Sequence, residues 1–520
     1  QTKENIQNFR GFGGAQSYPS RTKDVDDVDI STGSVGLGVA MTSFVSLIQD
    51  YILKKQFGKK IPKGRMVALV GDAELDEGNV YECLQEGWKH DLRNVWWIID
   101  YNRQSLDGVV HEGLSERLSS VFEAFGWNLI VLKYGRLQKD AFKEPGGNLL
   151  KKWIDDCPNQ LYSALIYEGG AAFKKRVLDD IGDQDIVSKL INKRSDNDFL
   201  ELMANLGGHC VPTLCDAFNG INDDKPTAFI AYTIKGWGTP LAGHKDNHAG
   251  LMTKIQMDSF KSKFGVTEGN EWNSFLDAKE DLELNEFIKN SPFQKARHRK
   301  YNSKKIPVDD IILITETKIS TQNAFGKILD QYAKNNTEFG NRIITTSPDV
   351  SVSTNLGPWI NKKGLFSRTD SSDTFRDRKI PSAQKWIFSS QGQHIELGIA
   401  EMNLFLMLGA AGLSHELFGE RLFPIGTVYD PFIARGLDAM NYACYQDARF
   451  MIVGTPSGVS LAPEGGAHQS IGTPLIGISQ PGLLSYEPAF ADELSIIMNY
   501  GFNYLQDENG GSVYLRLTTR

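Results

Sequence analysis

The chain has 520 residues, of which 41% are hydrophobic and 23% are charged, and its formal net charge at neutral pH is −8. This composition is typical of a globular protein, and the length predicts two or three domains. The negative balance argues against a nucleic-acid surface, and the sequence contains no apolar run as long as a membrane span. The five cysteines form no Cys-x-x-Cys pair, so we expect reduced thiols in a cytoplasmic protein and neither a zinc nor an iron–sulfur centre.

The first motif in chain order is a glycine-rich turn from Ser31 to Gly38, ahead of a predicted amphipathic helix that begins near Val39. Backbone N–H groups at such a helix start can receive a diphosphate, which makes Gly33 and Val35 candidates for cofactor contacts. The alternative is that these small residues only permit close packing.

The next segment predicts a strand, a helix and a second strand, which together form one βαβ unit. The apolar run Met66–Val70 precedes Asp72, and the run Val95–Ile99 precedes Asn102. Because ligands bind at the carboxyl ends of parallel strands, a carboxylate and an amide oxygen are expected to meet there. Oxygen ligands of this kind suit Mg²⁺, which also takes phosphate oxygens. The alternative is that Asp72 only caps the following helix.

The rest of the chain continues as an α/β protein in two parts. Residues 1–265 alternate strand-like and helical segments, residues 266–308 are polar and charged, and a second α/β series occupies residues 309–520. In this second part we predict strands at 343–346, 449–453 and 513–517. The chain starts without an initiator Met and stops directly after a strand, so we expect a fragment of a longer protein.

Two features of the second part point to a site. Glu401 opens a helix rich in Leu, Met and Ala, and a carboxyl group on an apolar element is costly unless it has a task or a partner. A solvated Glu in the first helical turn is the alternative. Tyr429 and Phe432 follow a strand-like run, where they could supply an aromatic face for a ligand, although core packing is the alternative.

Taken together, these motifs resemble the homodimeric type of pyruvate dehydrogenase, the decarboxylating component of 2-oxoacid dehydrogenase complexes. This family belongs to the transketolase-like superfamily of thiamine diphosphate (ThDP) enzymes. The chain departs from the ThDP pattern at Ala73, where the family has Gly, and at Asp100, where many members have Asn. The matching segments, in unchanged order, are 8–10, 17–19, 34–38, 71–77, 102–108, 207–209, 233–238, 398–401 and 463–468.

The resemblance implies two ThDP-binding-type domains, each a mostly parallel sheet flanked by helices. The diphosphate-binding domain would be 1–265, the charged linker 266–308 and the pyrimidine-binding domain 309–520, without the family's C-terminal domain. It also implies a homodimer with shared active sites and a lipoyl-bearing acyltransferase as partner. Neither nucleic acid nor a membrane is expected to take part.

The resemblance further implies a role for each site residue. Mg²⁺ would be held by Asp72, Asn102 and the backbone carbonyl of Gln104. Glu401 would bond the pyrimidine ring of the cofactor, and Ile399 would support its bent conformation. Further cofactor contacts are expected at Gly33, Val35, Gly71, Ala73, Glu74, Leu106, Tyr429 and Phe432. The residues expected near the substrate are Lys235, His248, Glu464 and His468, with His244 as an alternative to His248.

The predicted function is therefore ThDP- and Mg²⁺-dependent oxidative decarboxylation of a 2-oxoacid, with pyruvate as the expected substrate and transfer of the acyl group to a lipoyl group. Two alternatives stay open. A transketolase would move a two-carbon ketol unit between sugar phosphates; Arg435 is a candidate phosphate ligand, and Asp349 resembles that branch of the superfamily. A non-catalytic assembly subunit of the same fold is the other alternative.

Overall fold

The computed structural model describes residues 2–25, 27–57, 61–105, 108–182, 184–272, 282–291 and 301–520. The chain forms two compact units. The larger unit consists of Gln1–Met66, Glu77–Arg93 and Glu286–Arg520, and the smaller unit of Val67–Asp76 and Asn94–Asn285. Among the described residues, no helix combines the length and the apolar character needed to cross a membrane.

The α-helices in the described part of the chain are α1 (Lys3–Gln7), α2 (Leu37–Lys55), α3 (Gly78–Lys89), α4 (Leu114–Ala124), α5 (Arg136–Ala141), α6 (Gly147–Asp156), α7 (Asn159–Glu168), α8 (Gly170–Ile181), α9 (Asp185–Asn192), α10 (Asp196–Ala204), α11 (Val211–Asn219), α12 (Lys254–Lys263), α13 (Leu282–Asn290), α14 (Thr321–Asn335), α15 (Glu338–Arg342), α16 (Gly357–Lys363), α17 (Thr374–Asp377), α18 (Glu401–Gly412), α19 (Ser414–Leu417), α20 (Leu437–Tyr445), α21 (Thr473–Ser479) and α22 (Ala491–Tyr504). The strands are β1 (Met66–Gly71), β2 (Val95–Tyr101), β3 (Gln104–Ser105), β4 (Gly108–Val109), β5 (Asn128–Leu132), β6 (Thr227–Tyr232), β7 (Ile343–Pro348), β8 (Leu365–Phe366), β9 (Phe388–Ser389), β10 (His394–Leu397), β11 (Phe423–Val428), β12 (Met451–Gly454), β13 (Leu483–Tyr486) and β14 (Ser512–Arg516).

The smaller unit is built on a sheet with the strand order β1-β2-β6-β5. β6 pairs in parallel with β2 on one side and with β5 on the other. Every residue of β6 is buried, as is typical of a central strand in a sheet covered on both faces. The predicted strands before Asp72 and Asn102 are β1 and β2, and they are neighbours in this sheet.

The larger unit contains a parallel sheet with the order β13-β14-β12-β11-β7-β10-β8-β9. An apolar core lies between this sheet and helices α14, α16 and α22, with Trp359, Phe339 and Phe502 among its fully buried side chains. The rings of Phe339 and Phe502 meet edge to face with centroids 4.9 Å apart. Such contacts add a directional term to apolar burial.

Helix α2 differs from the prediction of an amphipathic helix. It begins at Leu37, and its residues are buried on all sides as far as Ile52. It packs against α3 and α18 within the larger unit. Two of its hydroxyl groups are satisfied by backbone carbonyls, since Thr42 donates to Val39 at 2.6 Å and Ser46 donates to Arg93. Thr42 and Ser46 therefore form buried hydrogen bonds and do not belong to a solvent-exposed face.

The predicted fold class, an α/β protein with parallel sheets flanked by helices, is confirmed. The two compact units do not coincide with the segments on either side of residue 265, because α2 and α3 belong to the same unit as the second half of the chain. Within the predicted linker, residues 273–281 and 292–300 lie outside the described residues, and α13 lies between these two stretches.

Candidate active site

The first group of predicted site residues, which we call the Asp72 cluster, comprises Asp72, Asn102 and Gln104 in the smaller unit. Asp72 follows β1 directly, opens a 3-10 helix and is 4% exposed. Its Oδ1 accepts the N–H of Ala73 at 2.9 Å, and its Oδ2 accepts that of Arg103 at 2.8 Å. Asn102 Oδ1 accepts the N–H of Gln104 at 3.0 Å. The ends of β1 and β2 thus bring the predicted metal ligands together.

The electrostatics of Asp72 favour a bound cation. Burial raises the pKa of this carboxyl group to about 6, and the negative charge of Asp100 acts in the same direction. The two backbone hydrogen bonds and the positive charge of Lys235 oppose this shift. A desolvated carboxylate beside neutral oxygens has the chemistry that Mg²⁺ prefers, so the residues present fit the metal. Among the described residues, no group of three or more His, Cys, Asp or Glu side chains is arranged to hold a metal ion. The Asp72 cluster does not depend on such a group, because it combines one carboxylate with amide and carbonyl oxygens.

Lys235 lies in the loop after β6, and two contacts fix the backbone of this loop. The Lys235 carbonyl accepts a hydrogen bond from the side-chain amide of Asn247 at 2.9 Å. His209 Nε2 accepts the N–H of Ile234 at 2.8 Å, and its ring stacks on Trp237 with centroids 4.6 Å apart. Burial lowers the pKa of His209 to about 4, which keeps the ring neutral and able to accept this bond.

The two loop histidines have different surroundings. The ring of His244 packs edge-on against Tyr167 with centroids 4.6 Å apart, and its Nδ1 accepts the N–H of Asp246 at 3.1 Å. His248 is exposed and directly follows the 3-10 helix Lys245–Asn247. His244 therefore has a packing role in this structure, whereas the ring of His248 faces solvent.

Several predicted cofactor contacts lie at the surface. Gly33 and Val35 are exposed in the segment before α2, and Gly33 has a φ of 134°. Gly71 ends β1 and has open space where a Cβ would lie, and Ala73 is half-buried. Glu74 is half-buried in the 3-10 helix that Asp72 opens. Leu106 lies outside the described residues.

The second group, which we call the Glu401 cluster, comprises Glu401, Arg435, Tyr429, Phe432 and His468 in the larger unit. Glu401 opens α18 and is 5% exposed, and its Oε1 accepts a hydrogen bond from Arg435 Nη1 at 3.0 Å. The Arg435 guanidinium also lies 5.7 Å from the ring centroid of Phe432. The alternative of a solvated Glu is therefore wrong, because this carboxylate is buried and paired.

Three rings lie together in the same cluster. Tyr429 and Phe432 are nearly parallel, with an interplanar angle of 21° and centroids 6.3 Å apart. The His468 ring lies 6.0 Å from Tyr429 and 5.2 Å from Phe432, and its Nδ1 is buried without a hydrogen-bond partner among the described residues. Ile399 is 64% exposed, and Glu464 is exposed at the end of a 3-10 helix.

Two glutamates of α3 lie beside this cluster and were not predicted. Glu86 is 3% exposed, and its Oε1 accepts the N–H of Gly398 at 2.9 Å and pairs with Lys89 at 3.0 Å. Burial and the negative charge of Glu401 raise the pKa of Glu82. The two glutamates lie one helical turn apart, beside the apolar residues of α3. This spacing of carboxyl groups is the sequence signal that could have identified them.

Two known protein families match separate parts of the chain. Residues 2–141 match the family described as transketolase, thiamine diphosphate binding domain. Residues 314–519 match the pyruvate dehydrogenase E1 component middle domain. The Asp72 cluster falls in the first match and the Glu401 cluster in the second.

Curated relatives align with the chain over nearly its whole length. The pyruvate dehydrogenase E1 component of Pseudomonas aeruginosa is 25% identical over 99% of this chain, and that of Escherichia coli is 25% identical over 100%. The counterpart in Mycobacterium tuberculosis is 24% identical over 99%. The chain spans about 60% of the length of these relatives.

Solved structures of similar fold are transketolases. The enzyme from Campylobacter jejuni superposes with a TM-score of 0.62 at 17% identity, covering 99% of this chain and 66% of that one. The enzyme from Leishmania mexicana gives 0.62 at 17% identity, covering 100% of this chain and 65% of that one. At this identity the likeness establishes the fold alone.

Proposed function

Because the chain is a homologue of the pyruvate dehydrogenase E1 components over its full length, we propose that it catalyses the ThDP- and Mg²⁺-dependent oxidative decarboxylation of a 2-oxoacid, with pyruvate as substrate and a lipoyl group as acyl acceptor. The observation that carries this proposal is the buried Asp72 carboxylate. It has a raised pKa and lies beside Asn102 in a segment that matches a thiamine diphosphate binding domain.

Bound ThDP supplies an electron sink for the loss of CO₂. Asp72, Asn102 and the carbonyl of Gln104 would hold Mg²⁺, which neutralises diphosphate charge. Lys235 adds a positive charge that already acts on Asp72. This arrangement supports a site for a negatively charged cofactor.

In the proposed function, the Glu401 carboxyl group hydrogen-bonds the pyrimidine ring of the cofactor. Its carboxyl group is buried and oriented by Arg435, so it does not have to be desolvated or turned during the reaction. The Tyr429–Phe432 pair offers a stacking surface, and the exposed Ile399 side chain is available to support the bent cofactor.

Proton transfer to and from substrate is assigned to the histidines. His468 has a buried ring nitrogen that meets no hydrogen-bond partner in the described part of the chain, and His248 is on an exposed loop. An imidazole titrates in the range that general acid–base catalysis needs. Lys235 and Glu464 are assigned to the surroundings of the substrate carboxylate and of the reaction intermediate.

The test is decarboxylation of a panel of 2-oxoacids by the complete gene product, with an artificial electron acceptor. We expect pyruvate to be the best substrate and Glu401→Gln to lower kcat by roughly 10²- to 10⁴-fold, the usual contribution of a positioned proton donor. Glu338→Gln is the matched control, because Glu338 also opens a helix but is exposed. Unchanged decarboxylation by the Glu401 variant would remove the assigned role.

The same preparation separates the alternatives. Ketol transfer between sugar phosphates without CO₂ release would indicate a transketolase. Absence of Mg²⁺-dependent ThDP binding in calorimetry would indicate an assembly subunit.

We also propose that the protein is a homodimer and that a lipoyl-bearing acyltransferase is its partner. Sedimentation checks the homodimer, and acyl transfer to a lipoyl domain checks the partner.

A further inference from the structure

The segment that carries His468 is hydrogen-bonded to a buried carboxylate, that of Asp430. Asp430 directly follows Tyr429 and has no exposed surface. Its Oδ2 accepts a hydrogen bond from the Ser470 hydroxyl at 2.5 Å and another from the Thr473 hydroxyl at 2.5 Å. Both hydroxyl groups follow His468 within five residues. The carboxylate therefore connects the aromatic pair to the histidine segment.

The same carboxylate is fixed to the sheet from the other side. Arg516 of β14 lies 3.1 Å from Oδ2 through Nη2 and 3.2 Å from Oδ1 through Nε. The Tyr514 hydroxyl of the same strand also donates to Oδ1. Arg516 is 4% exposed and has a second partner, Glu487, at 2.6 Å. Because a buried carboxylate is costly unless its hydrogen bonds are made, this full set of donors identifies a fixed point of the structure.

The sequence leaves room for this arrangement at Gly454. β12 lies between β11 and β14 in the sheet, so the Asp430 carboxylate has to pass the end of β12 to reach β14. A Cβ at Gly454 would lie 2.6 Å from Asp430 Oδ1 and 3.1 Å from the Tyr514 ring. The absence of a side chain at that position is therefore a condition for the network.

His468 itself is held by its neighbours and not by a hydrogen bond from Nδ1. That atom is buried without a partner among the described residues, and the ring contacts Tyr429 and Phe432. Tyr429 is the chain neighbour of Asp430, and the histidine segment is bonded to Asp430 through Ser470. The Asp430 carboxylate thus links both sides of the ring contact.

We propose that Asp430 is a positioning residue, which holds His468 against the Tyr429–Phe432 pair in the orientation needed for proton transfer. Asp430 acts through His468, and the catalytic part of this inference rests on the proposed function. The ordering part, that Asp430 fixes the position of His468, does not rest on the proposed function, because it follows from the contacts alone. The two parts are therefore tested separately.

The ordering part is tested by the rate at which diethyl pyrocarbonate modifies His468, followed by mass spectrometry of the full chain. We expect Ser470→Ala, and more strongly the double variant with Thr473→Ala, to raise this rate because the ring loses its fixed position. Ser479→Ala is the matched control, since that exposed hydroxyl in the same region makes a local hydrogen bond, to the Ile476 carbonyl. Equal rates in all four proteins would overturn the proposal, whatever the enzyme's activity.

The catalytic part is tested by a double-mutant cycle on kcat. Asp430→Asn should lower kcat on the order of 10- to 100-fold, the cost of a misplaced catalytic group. In a His468→Ala background, the same change should cause no further loss. An undiminished loss in that background would show that Asp430 acts by another route. If Asp430→Asn does not fold, the Ser470 and Thr473 double variant takes its place in the cycle.

Discussion

At the scale of single residues, the candidate metal site depends on the state of one buried carboxyl group. Desolvation raises the pKa of Asp72 from its ordinary value of 3.8 to about 6, and Asp100 adds to this. In the absence of a cation, the folded chain binds a proton at Asp72 more tightly than the unfolded chain does. The contribution of protonated Asp72 to stability is complete below pH 3.8 and is lost as the pH rises through 6. A bound cation reverses this preference, so protons and Mg²⁺ compete for the same group.

The affinity for Mg²⁺ in the presence of ThDP should therefore depend on pH. Below pH 6 we expect it to fall by about tenfold per pH unit, and above pH 7 to be nearly constant. Titration calorimetry between pH 5 and 8 measures this. Asp72→Asn should abolish binding, whereas Asp76→Asn, an exposed carboxylate of the same 3-10 helix, should leave the pH profile intact. An affinity independent of pH between 5 and 7 would contradict the assignment of Asp72.

A second residue-scale prediction concerns Gly36, which lies in the glycine-rich turn directly before α2. Its φ is 84°, and a Cβ there would lie 2.6 Å from the Cβ of Glu77. Gly36→Ala should lower the free energy of unfolding by about 1–3 kcal/mol, through backbone strain and steric overlap. Urea unfolding measures the change. Gly78→Ala is the control, since a Cβ there meets no atom within 4 Å, and a loss of similar size in both variants would refute the argument.

At the scale of elements, α2 was correctly predicted to be a helix, but it is buried and not amphipathic. The alternation of apolar residues with Thr42, Ser43 and Ser46 predicts an exposed polar stripe. Small hydroxyl side chains can instead bond to nearby backbone carbonyls, as Thr42 does to Val39, and this removes the need for solvent. The burial of α2 depends on α3 and α18, which periodicity within one helix does not report.

The full burial of α2 makes its apolar positions costly to truncate. Ile48 has no exposed surface, so Ile48→Ala should lower the free energy of unfolding by about 2–5 kcal/mol. Lys54→Ala, at an exposed position of the same helix, should change it by less than about 0.5 kcal/mol. Urea unfolding followed by circular dichroism compares the two. A small effect of Ile48→Ala would indicate that α2 packs loosely.

The strands of the second half were predictable for a physical reason. Strands buried on both faces form near-continuous runs of apolar and β-branched residues, and the runs at 343–346, 449–453 and 513–517 correspond to β7, β12 and β14. The order of these strands in the sheet was not predictable, because it depends on pairing between distant segments. The Asp430 network was missed for the same reason, since its donors come from two stretches of chain, 470–473 and 514–516, that are distant from Asp430 in the sequence.

At the scale of the whole molecule, the same distinction applies to the candidate site. Asp72, Asn102 and Glu401 each belong to a local motif, so the sequence could single them out as candidates. Their partners Arg103 and Arg435 follow from tertiary structure, and neither was predicted in that role. Motifs therefore indicate the class of cofactor, whereas the choice of substrate depends on loops whose packing only the structure describes.

Ligand binding should stabilise the smaller unit first around the Asp72 cluster. At a ligand concentration one hundred times Kd, binding contributes about 2.7 kcal/mol against opening of the segments that it holds together. Hydrogen exchange with Mg²⁺ and ThDP should therefore slow in peptides covering 70–76 and 100–105, and removal of the metal with EDTA should reverse this. Helix α14 in the larger unit, whose apolar face is already in a core, is the internal reference. Asp72→Asn should lose the protection and Asp76→Asn should keep it. Protection that spreads equally to α14 would mean that ligand binding acts on global stability and not on the cluster itself.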